Sequence, residues 1–379
     1  MTGALAGIRV VEFAGLGPGP FCAMMLADHG ADVVRISRPG HSAMIGKDAD
    51  DFLTRSRRNI ALDLKAPEAL GVARRLCIKA DIVIEGFRPG VMERMGLGPK
   101  EVMQDNPRLV YGRMTGWGQD GPYASMAGHD INFIALSGAL HAIGRAGDRP
   151  VPPLNLVGDF GGGGLMLAFG VLAALQSAKS TGKGQVVDCS MVEGSAVLMS
   201  MIYSLRSQGA WHDAREANMI DGGAPYYDTY ETLDGRYVAI GAVEPQFFKE
   251  LLELTGLAGD PLFANQNRIA DWPAQKARLR QVFLTKSRDQ WCALFEGSDA
   301  CFAPILSLDE ASRHKQNAHR RVFTGTDGMQ PGPAPRTCGT PVRLPEPLIW
   351  NDAATASILD DLGYSEHEIA GMRKNGVAV

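Results

Sequence analysis

The sequence lacks the features that mark several classes of protein. Only 7% of its 379 residues are aromatic, and the net charge is −4 because 38 basic side chains face 42 acidic ones. No basic block stands out, so we expect no binding of nucleic acid through a broad positive face. The apolar fraction of 45% and the charged fraction of 21% exclude a disordered chain, a coiled coil and a collagen-like fibre.

Disulfide and metal-binding patterns are also missing. The six cysteines include no C-x-x-C pair, and the eight histidines show no H-E-x-x-H or comparable spacing. We therefore expect reduced, mostly buried thiols and neither a structural nor a catalytic metal ion.

Long apolar runs and targeting signals are absent too. The longest apolar run, from Gly164 to Leu175, has 12 residues, whereas a membrane-spanning helix needs about 18. The N-terminus has no charged region before an apolar stretch, and the last three residues are not a peroxisomal signal. We expect a cytoplasmic protein that does not engage a membrane.

Glycine, by contrast, is abundant, with 45 residues, and the first 115 residues alternate short β-branched runs with helical patterns. The predicted strands are 8–13, 31–36, 59–64, 81–85 and 109–114, and the predicted helices include 21–29 and 67–79. Strands separated in this way indicate βαβ units and a parallel sheet, that is, an α/β fold.

The second half of the chain changes character near Asp221. Its predicted elements are helix 165–177, strand 186–188, helix 191–208, a hairpin of 226–232 and 237–242 with an Asp-Gly turn, helices 245–255 and 273–286, and capping boxes at Ser287 and Ser365. The segment 331–347 is rich in proline, and we expect it to be an extended arm. The length indicates about two domains, and we place a smaller α+β domain at 225–325.

A glycine-rich turn follows the first strand. The spacing in Gly15-Leu16-Gly17-Pro18-Gly19 is G-x-G-x-G, not the G-x-G-x-x-G of a dinucleotide site. Arg35 and Arg38 stand near the end of the second strand, where a site for a free ribose would carry an acid. Arginine suits a ribose phosphate, either the 3′-phosphate of CoA or the 2′-phosphate of NADP. A tight turn with surface arginines explains the pattern equally well.

A second set of cations follows later strands. Its members are Arg55, Arg57, Arg58, Lys65, Arg88 and Arg94. The carboxyl ends of parallel strands are where open α/β sheets bind ligands, so these side chains could hold a polyanion. Solvated surface charge is the alternative for each of them.

Two short motifs carry titratable groups. His129 stands between Gly128 and Asp130 beside apolar residues; a lone histidine is more often structural than catalytic, but an adjacent acid can set its tautomer and raise its basicity. Glu244 precedes Pro245 at a predicted helix start, where an acid is usually structural.

The stretch from Gly158 to Gly164 is the most informative. Asp159 comes before four consecutive glycines and an apolar helix. Asp159 could simply cap that helix. Four glycines, however, cost backbone entropy in any fold, and they permit a ligand to approach main-chain N–H groups that stabilise an oxyanion. We therefore favour a functional site here.

Taken together, these motifs resemble the family III CoA-transferases, and within that family the α-methylacyl-CoA racemase branch. The resemblance covers nearly the whole chain and is carried by residues 9–20, 30–39, 81–99, 113–122, 128–138, 152–164, 182–188 and 222–248. Residues 40–51 match nothing in the family pattern.

The resemblance implies a two-domain fold and an interlocked homodimer. A Rossmann-like large domain would comprise residues 1–220 and be completed by a return arm and C-terminal helix at 326–379. The small domain at 225–325 would be inserted between them. Each active site would combine the large domain of one chain with the small domain of the other.

The resemblance also implies site residues. His129 and Asp159 match the catalytic pair of the racemases, and Glu244 matches the acid that partners the histidine. The positions implied around CoA and substrate are Arg38, Leu62, Asp63, Leu64, Lys65, Arg88, Arg94, Gly128, Asp130 and Gly161. The transferases of the family typically carry tyrosine where this chain has His129.

The implied activity is an isomerase of lipid metabolism that interconverts (2R)- and (2S)-2-methylacyl-CoA by general acid/base catalysis. CoA would be part of the substrate, and no cofactor is expected. We expect the enolate to sit on the Asp159 N–H, at a helix that starts near Gly161. The alternatives are a CoA-transferase that forms an aspartyl anhydride on Asp159, an NADP-dependent oxidoreductase, and a non-catalytic CoA-binding scaffold.

Overall fold

The computed structural model describes residues 3–40, 51–325 and 329–378. Most of the segment 40–51, which matches nothing in the family pattern, lies outside these residues. Contacts divide the chain into a large unit, made of Met1–Ser137, Leu154–Leu198 and Gln316–Val379, and a small unit, made of Gly138–Pro153 and Met199–Lys315. From the sequence we place this domain at 225–325, but the small unit starts at Gly138 and ends at Lys315.

The strands are β1 (Arg9–Phe13), β2 (Asp32–Ser37), β3 (Arg58–Ala61), β4 (Ile82–Glu85), β5 (Val110–Thr115), β6 (Val186–Ser190), β7 (Tyr227–Glu231), β8 (Tyr237–Gly241), β9 (Phe302–Pro304), β10 (Phe323–Thr324) and β11 (Gln330–Pro331). The first six form one sheet in the order β3-β2-β1-β4-β5-β6, and all of its pairs are parallel. The predicted α/β fold with a parallel sheet is confirmed.

The α-helices are α1 (Pro18–Asp28), α2 (Pro67–Lys79), α3 (Val91–Arg94), α4 (Pro99–Asp105), α5 (Asp130–Leu136), α6 (Ala139–Ala142), α7 (Met166–Thr181), α8 (Met191–Leu198), α9 (Ser200–Ser207), α10 (Pro245–Thr255), α11 (Trp272–Phe283), α12 (Arg288–Phe295), α13 (Leu308–Arg313), α14 (Lys315–His319), α15 (Asp352–Asp361) and α16 (Glu366–Lys374). A π-helical segment, Leu156–Leu165, leads directly into α7.

Apolar side chains cover both faces of the parallel sheet. On one face, strand residues pack with α2, α15 and α16, as Leu76 and Leu359 illustrate. On the other face they pack with α1 and α7, as Leu26 and Val171 illustrate. Burial on both faces explains why the strands read as continuous apolar runs rather than alternating ones.

The C-terminal segment returns to the outer strand of this sheet. The main-chain N–H of Ile349 donates to the Arg57 carbonyl at 2.9 Å, and isolated bridges join Arg58 to Ile349 and Leu62 to Ala378. The proline-rich arm therefore lies against β3, and the edge of the sheet is partly covered.

Three cations of the second set form ion pairs within the large unit, and two of them, Arg55 and Arg57, are buried, whereas Arg58 is partly exposed. Arg57 pairs with Glu12 at 2.5 Å, and both side chains have no exposed area. Arg55 pairs with Asp28 at 2.5 Å, and Arg58 pairs with Asp32 at 2.8 Å. Arg55 and Arg57 are buried and already paired with carboxylates. They are therefore neither free to bind a ligand nor part of the solvated surface, and their role is to neutralise a buried charge.

The small unit has its own antiparallel sheet, in the order β7-β8-β9, and its own core. Aromatic side chains dominate that core, including Tyr230 and Phe283, whose rings stack 5.1 Å apart. The predicted hairpin around Asp234-Gly235 and the capping boxes at Ser287 and Ser365 are confirmed. The single helix predicted over 191–208 is wrong, because Met199 leaves helical geometry with a ψ of 6° and separates α8 from α9.

The helix Leu156–Thr181 is longer than the apolar run we identified within it. Its length of 26 residues and the mean hydropathy of 1.6 in its most apolar 18-residue window are sufficient, by length and composition alone, to cross a membrane. However, 39% of the most apolar window is buried in the protein, and Val171 and Leu175 belong to the core beneath the sheet. These contacts are typical of a core helix, so the length criterion by itself is weak evidence for a membrane span.

Candidate active site

The strand order creates a crevice in the large unit. Strands β2 and β3 follow on one side of β1, whereas β4, β5 and β6 follow on the other. The loops after β1 and β4 therefore diverge, which is where open α/β sheets bind ligands. A cavity of about 580 Å³ lies there. Its walls include Gly15, Leu16, Pro18, Gly19, residues 85–89, 114–117 and 126–129, and Ala124, Phe133, Asp159 and Met191.

His129 reaches this cavity from the start of a helix. It is the N-cap residue of α5, and its main-chain N–H donates to Asn132 Oδ1 at 3.0 Å. In the next turn, Phe133 is 3% exposed and packs edge-on against Trp117 with ring centroids 4.7 Å apart. The cap and the aromatic pair fix the backbone that carries His129, while the residue itself remains exposed.

Asp159 lies in the π-helical segment, not before it. The helix starts at Leu156 rather than near Gly161, so Asp159 is in the first turn. Its Oδ2 accepts a hydrogen bond from Asn155 Nδ2 at 3.1 Å, and it lies so near Gly17 that a Cβ there would be 2.9 Å away. Wide π-helical turns are rare and often occur at functional sites.

The surroundings of Asp159 favour its protonated form. Burial is the main cause and raises the pKa of its carboxyl, and the negative charge of Asp130 raises this pKa further. The hydrogen bond from Asn155 and the charge interaction with His129 lower it. A carboxyl group with a raised pKa in a cavity is a candidate general acid.

Asp130 occupies a different position from the one we expected. It is 6% exposed and does not line the cavity. Its Oδ1 accepts the main-chain N–H of Asp159 at 2.7 Å. This N–H is therefore already engaged, and our expectation that it holds the enolate oxygen is contradicted by the geometry.

The four glycines after Asp159 serve helix packing. A Cβ on Gly162 would lie 2.6 Å from the Ser195 nitrogen of α8, and one on Gly164 would lie 2.7 Å from the Pro18 oxygen of α1. Gly161 faces Leu198, with 3.0 Å from a would-be Cβ to the leucine Cδ1. The run thus permits close approach of neighbouring helices, and we find it facing protein rather than the cavity.

Three of the cations assigned to CoA are exposed after the carboxyl ends of strands. Arg38 follows β2, Lys65 follows β3 and Arg88 follows β4. Parallel strands end at the same edge of a sheet, so all three lie along the edge that carries the cavity, and Arg88 also lines it. Arg94 is exposed at the end of α3, close to Gly90.

The stretch from Leu62 to Lys65 combines core and surface positions. Leu62 is 1% exposed and belongs to the core, so its side chain is not available to a ligand. Asp63 Oδ1 accepts the Lys65 N–H at 3.1 Å and forms a turn that leaves Lys65 outside. Leu64 is half-buried against the same core. Arg35, which we considered for a ribose phosphate, is 2% exposed and donates to Asn59 at 3.0 Å, so it cannot serve that role.

Glu244 belongs to the small unit. It is the exposed N-cap residue of α10. His129 belongs to the large unit, and the partnership of Glu244 with that histidine stays a prediction. Gly128, the residue before His129, does line the cavity of the large unit.

Sequence reasoning missed two residues that hold Asp159. Asn155 lies four positions before it, which places both on one helix face; a helix assumed to start near Gly161 hides that relationship. Gly17 has a φ of 64° and lies against the carboxylate. The G-x-G-x-G spacing signalled a tight turn, but not what the turn must accommodate.

The similarity to known proteins agrees with this architecture. A model of CoA-transferase family III matches residues 5–352. The chain belongs to this family. It is 46% identical over 379 residues to the alpha-methylacyl-CoA racemase of Mus musculus, covering 98% of this chain and 97% of that one. It is also 46% identical over 372 residues to the alpha-methylacyl-CoA racemase of Homo sapiens, covering 97% and 95%.

Among solved structures, a CAIB/BAIF family protein from Brucella suis matches with a TM-score of 0.82 and 26% sequence identity, covering 96% of this chain and 100% of that one. The family resemblance stated from the motifs is therefore confirmed. The match also agrees with the six-stranded parallel sheet and its accompanying antiparallel sheets.

Proposed function

We propose that the protein is an isomerase that interconverts (2R)- and (2S)-2-methylacyl-CoA thioesters. The observation that carries the proposal is that His129 and Asp159 line one cavity. Full-length similarity at 46% identity to two alpha-methylacyl-CoA racemases supports it.

The reaction is a 1,1-proton transfer. One group removes the α-proton from one face of the carbon, the thioester stabilises the resulting enolate, and a second group returns a proton to the opposite face. Two proton-transfer groups on opposite sides of the α-carbon are therefore required. We assign His129 to one face and Asp159 to the other, and the direction of reaction decides which one acts as base.

The raised pKa of Asp159 fits this assignment. When His129 takes the proton, Asp159 must begin protonated and donate. Burial, which is the main cause of the raised pKa, favours that state. The enolate oxygen needs a donor other than the Asp159 N–H, because Asp130 already accepts it.

The CoA portion would lie along the carboxyl edge of the sheet. Arg38, Lys65 and Arg88 are exposed there, and arginine and lysine suit phosphate groups. Because two proton-transfer groups suffice for the chemistry, we propose that the enzyme uses no cofactor apart from the CoA carried by its substrate. We further propose a cytoplasmic location.

A homodimer completes the proposal. The helix Leu156–Thr181 exposes Leu165, Phe169 and Leu172 at fractions of 46%, 73% and 36%. Their spacing of four and three residues places them on one helix face, which we call the α7 patch. A second copy of the chain would cover this patch, and Glu244 of the partner subunit would support His129.

A CoA-transferase would use Asp159 differently, as a nucleophile that forms an acyl anhydride. A nucleophile must be ionised, and burial, which raises the pKa of the Asp159 carboxyl, works against that form. The same cavity could still accommodate that chemistry, so trapping an acyl-Asp159 with hydroxylamine or borohydride in the presence of acceptor acids separates the two activities.

The test is proton NMR of the purified protein with one enantiomer of a 2-methylacyl-CoA in D₂O, without acceptor acid. We expect deuterium at the α-position and appearance of the opposite enantiomer. His129→Ala and Asp159→Asn should each abolish stereoinversion. Full epimerisation rates in both variants would show that the assignment is wrong, and absence of exchange in the unmodified protein would favour the transferase.

A further inference from the structure

We infer that Asp130 is a positioning residue for Asp159, holding its main chain and placing a negative charge beside its carboxyl group. This inference rests on the proposed function of Asp159 as a proton donor and acceptor. It assigns to Asp130 a role that does not involve contact with substrate.

The contact between these residues is built into two elements of the large unit. Asp130 is the first residue of α5, and Asp159 lies in the π-helical segment. Asp130 Oδ1 accepts the Asp159 N–H at 2.7 Å, a length typical of a charge-assisted hydrogen bond. The bond therefore fixes the backbone of the proton-transfer residue from an element outside its own helix.

Gly158 makes this approach possible. A Cβ at that position would lie 2.4 Å from Asp130 Oδ1 and 3.2 Å from Asp130 Cα. No real Cβ tolerates the first distance, so any side chain would drive the two segments apart. A glycine immediately before Asp159 is thus a requirement of the contact.

The second carboxyl oxygen of Asp130 has an unusual environment. Oδ2 is buried and accepts no hydrogen bond within the described part of the chain. A buried polar atom without a partner is costly and calls for a reason. An asparagine would retain the Oδ1 acceptor without the charge, so the carboxylate at this position supplies something that an amide does not.

What it supplies is an electrostatic effect on Asp159. The charged or titratable side chains that act on Asp159 are Asp130 from α5, which raises the pKa of its carboxyl, and His129 at the start of the same helix, which lowers it. Burial remains the largest cause of the raised pKa. Removing the charge of Asp130 should therefore lower the pKa of Asp159, because its ionised form is no longer repelled.

Carbodiimide labelling of the folded protein tests this without relying on turnover. Carbodiimide activates protonated carboxyl groups, so the yield at Asp159 falls as pH rises through its pKa. Cleavage after Arg145 and Lys179 releases residues 146–179, in which the only acids are Asp148 and Asp159. Asp148 is exposed, and it serves as an internal reference when tandem mass spectrometry places the label.

We expect Asp130→Asn to move the Asp159 labelling curve to lower pH while leaving the Asp148 curve in place. Asp120→Asn is the matched control: it removes an exposed acid ten positions earlier in the chain, and it should move neither curve. An unchanged Asp159 curve in Asp130→Asn would overturn the inference, whether or not the protein proves to be a racemase.

Kinetics then test the positioning role. In the α-proton exchange assay, the pH limb assigned to Asp159 should shift to lower pH in Asp130→Asn for both enantiomers. Asp130→Ala also removes the Oδ1 acceptor, and we expect about a 100-fold loss of kcat with KM nearly unchanged, since a displacement near 1 Å has that effect. A KM increase at constant kcat would instead indicate substrate binding and overturn the positioning role. Thermal melts of both variants confirm that each is folded before it is assayed.

Discussion

Gly17 and Asp159 are in contact across the turn that follows the first strand: a Cβ on Gly17 would lie 2.9 Å from the carboxylate Oδ2. The turn therefore forms a wall against which the proton-transfer group rests. Gly17 also has a φ of 64°, which disfavours other residues.

The first prediction concerns this wall. Gly17→Ala should lower the α-proton exchange rate about 100-fold, because the new methyl group displaces the Asp159 carboxyl from the α-carbon. Gly7→Ala is the matched control, since Gly7 has a φ of 85° and no atom within 4 Å of a would-be Cβ. Both variants carry backbone strain, but only the first should lose activity. Equal loss in both would mean that strain alone is responsible.

The second prediction concerns stability and pH. Asp159 has a folded-state pKa above its ordinary value of 3.8, so between these two pKa values the folded protein retains a proton that the unfolded chain releases. Stability is therefore lost as pH rises from the unfolded pKa through the folded pKa. Asp159→Asn should raise the melting temperature at pH 7, and the gain should disappear below pH 3.8. A variant less stable than the parent at pH 7 would contradict this.

The third prediction separates the two faces of the reaction. Because each base serves one enantiomer, His129→Ala should block α-proton exchange of one enantiomer while Asp159 continues to exchange the other without inversion. Asp159→Asn should show the opposite preference. Proton NMR of both enantiomers in D₂O measures this directly. Loss of exchange with the same enantiomer in both variants would place the two groups on one face.

The fourth prediction concerns the buried pair of Arg57 and Glu12, whose side chains have no exposed area. Arg57 also donates to the Pro20 carbonyl at 2.6 Å. Arg57→Met leaves a buried carboxylate unpaired and should lower the free energy of unfolding by about 3 to 5 kcal/mol. Arg74→Met, which breaks a pair that is 38% and 45% exposed, should lower it by about 0 to 1 kcal/mol. Urea denaturation provides both values, and similar losses would refute the distinction.

The fifth prediction concerns the α7 patch. Phe169 is 73% exposed on α7, so Phe169→Asp should convert a dimer to a monomer by placing a charge in an apolar interface. Leu308→Asp is the control, because Leu308 is 92% exposed on α13 of the small unit and lies outside the patch. Light scattering after size-exclusion chromatography measures the mass. A monomeric parent protein would remove the dimer from the proposal.

Local patterns were sufficient for much of the fold. The helix predicted at 67–79 has these limits in the structure, because Pro67 starts it and the apolar spacing is regular. The early strands follow similarly, since β-branched runs bounded by glycine and proline have few alternatives. The sheet order, by contrast, depends on contacts between distant segments that no local pattern records.

In the candidate site, too, local motifs identified some residues, whereas contacts between distant residues could not be predicted. His129 and Asp159 were identified by motif, but Asp130 was assigned to substrate although it binds the Asp159 main chain 29 positions away. Arg57 appeared to be a surface or ligand-binding cation because its partner Glu12 lies 45 positions earlier. From sequence alone, a charged residue is predicted to be exposed, because nothing shows that it has a partner. Which residue it pairs with is decided only when distant segments of the chain come together in the fold.

The bridges from Ile349 to Arg58 and from Ala378 to Leu62 also bear on biosynthesis. Ribosomes extend a chain by about 5 to 20 residues per second, and domains generally fold as units during this process. Here the outer strand of the parallel sheet is formed early, but the residues that cover it are synthesised almost last. The nascent large unit therefore has an open sheet edge while the whole small unit is translated, and this interval is when the chain is most exposed to non-native strand pairing.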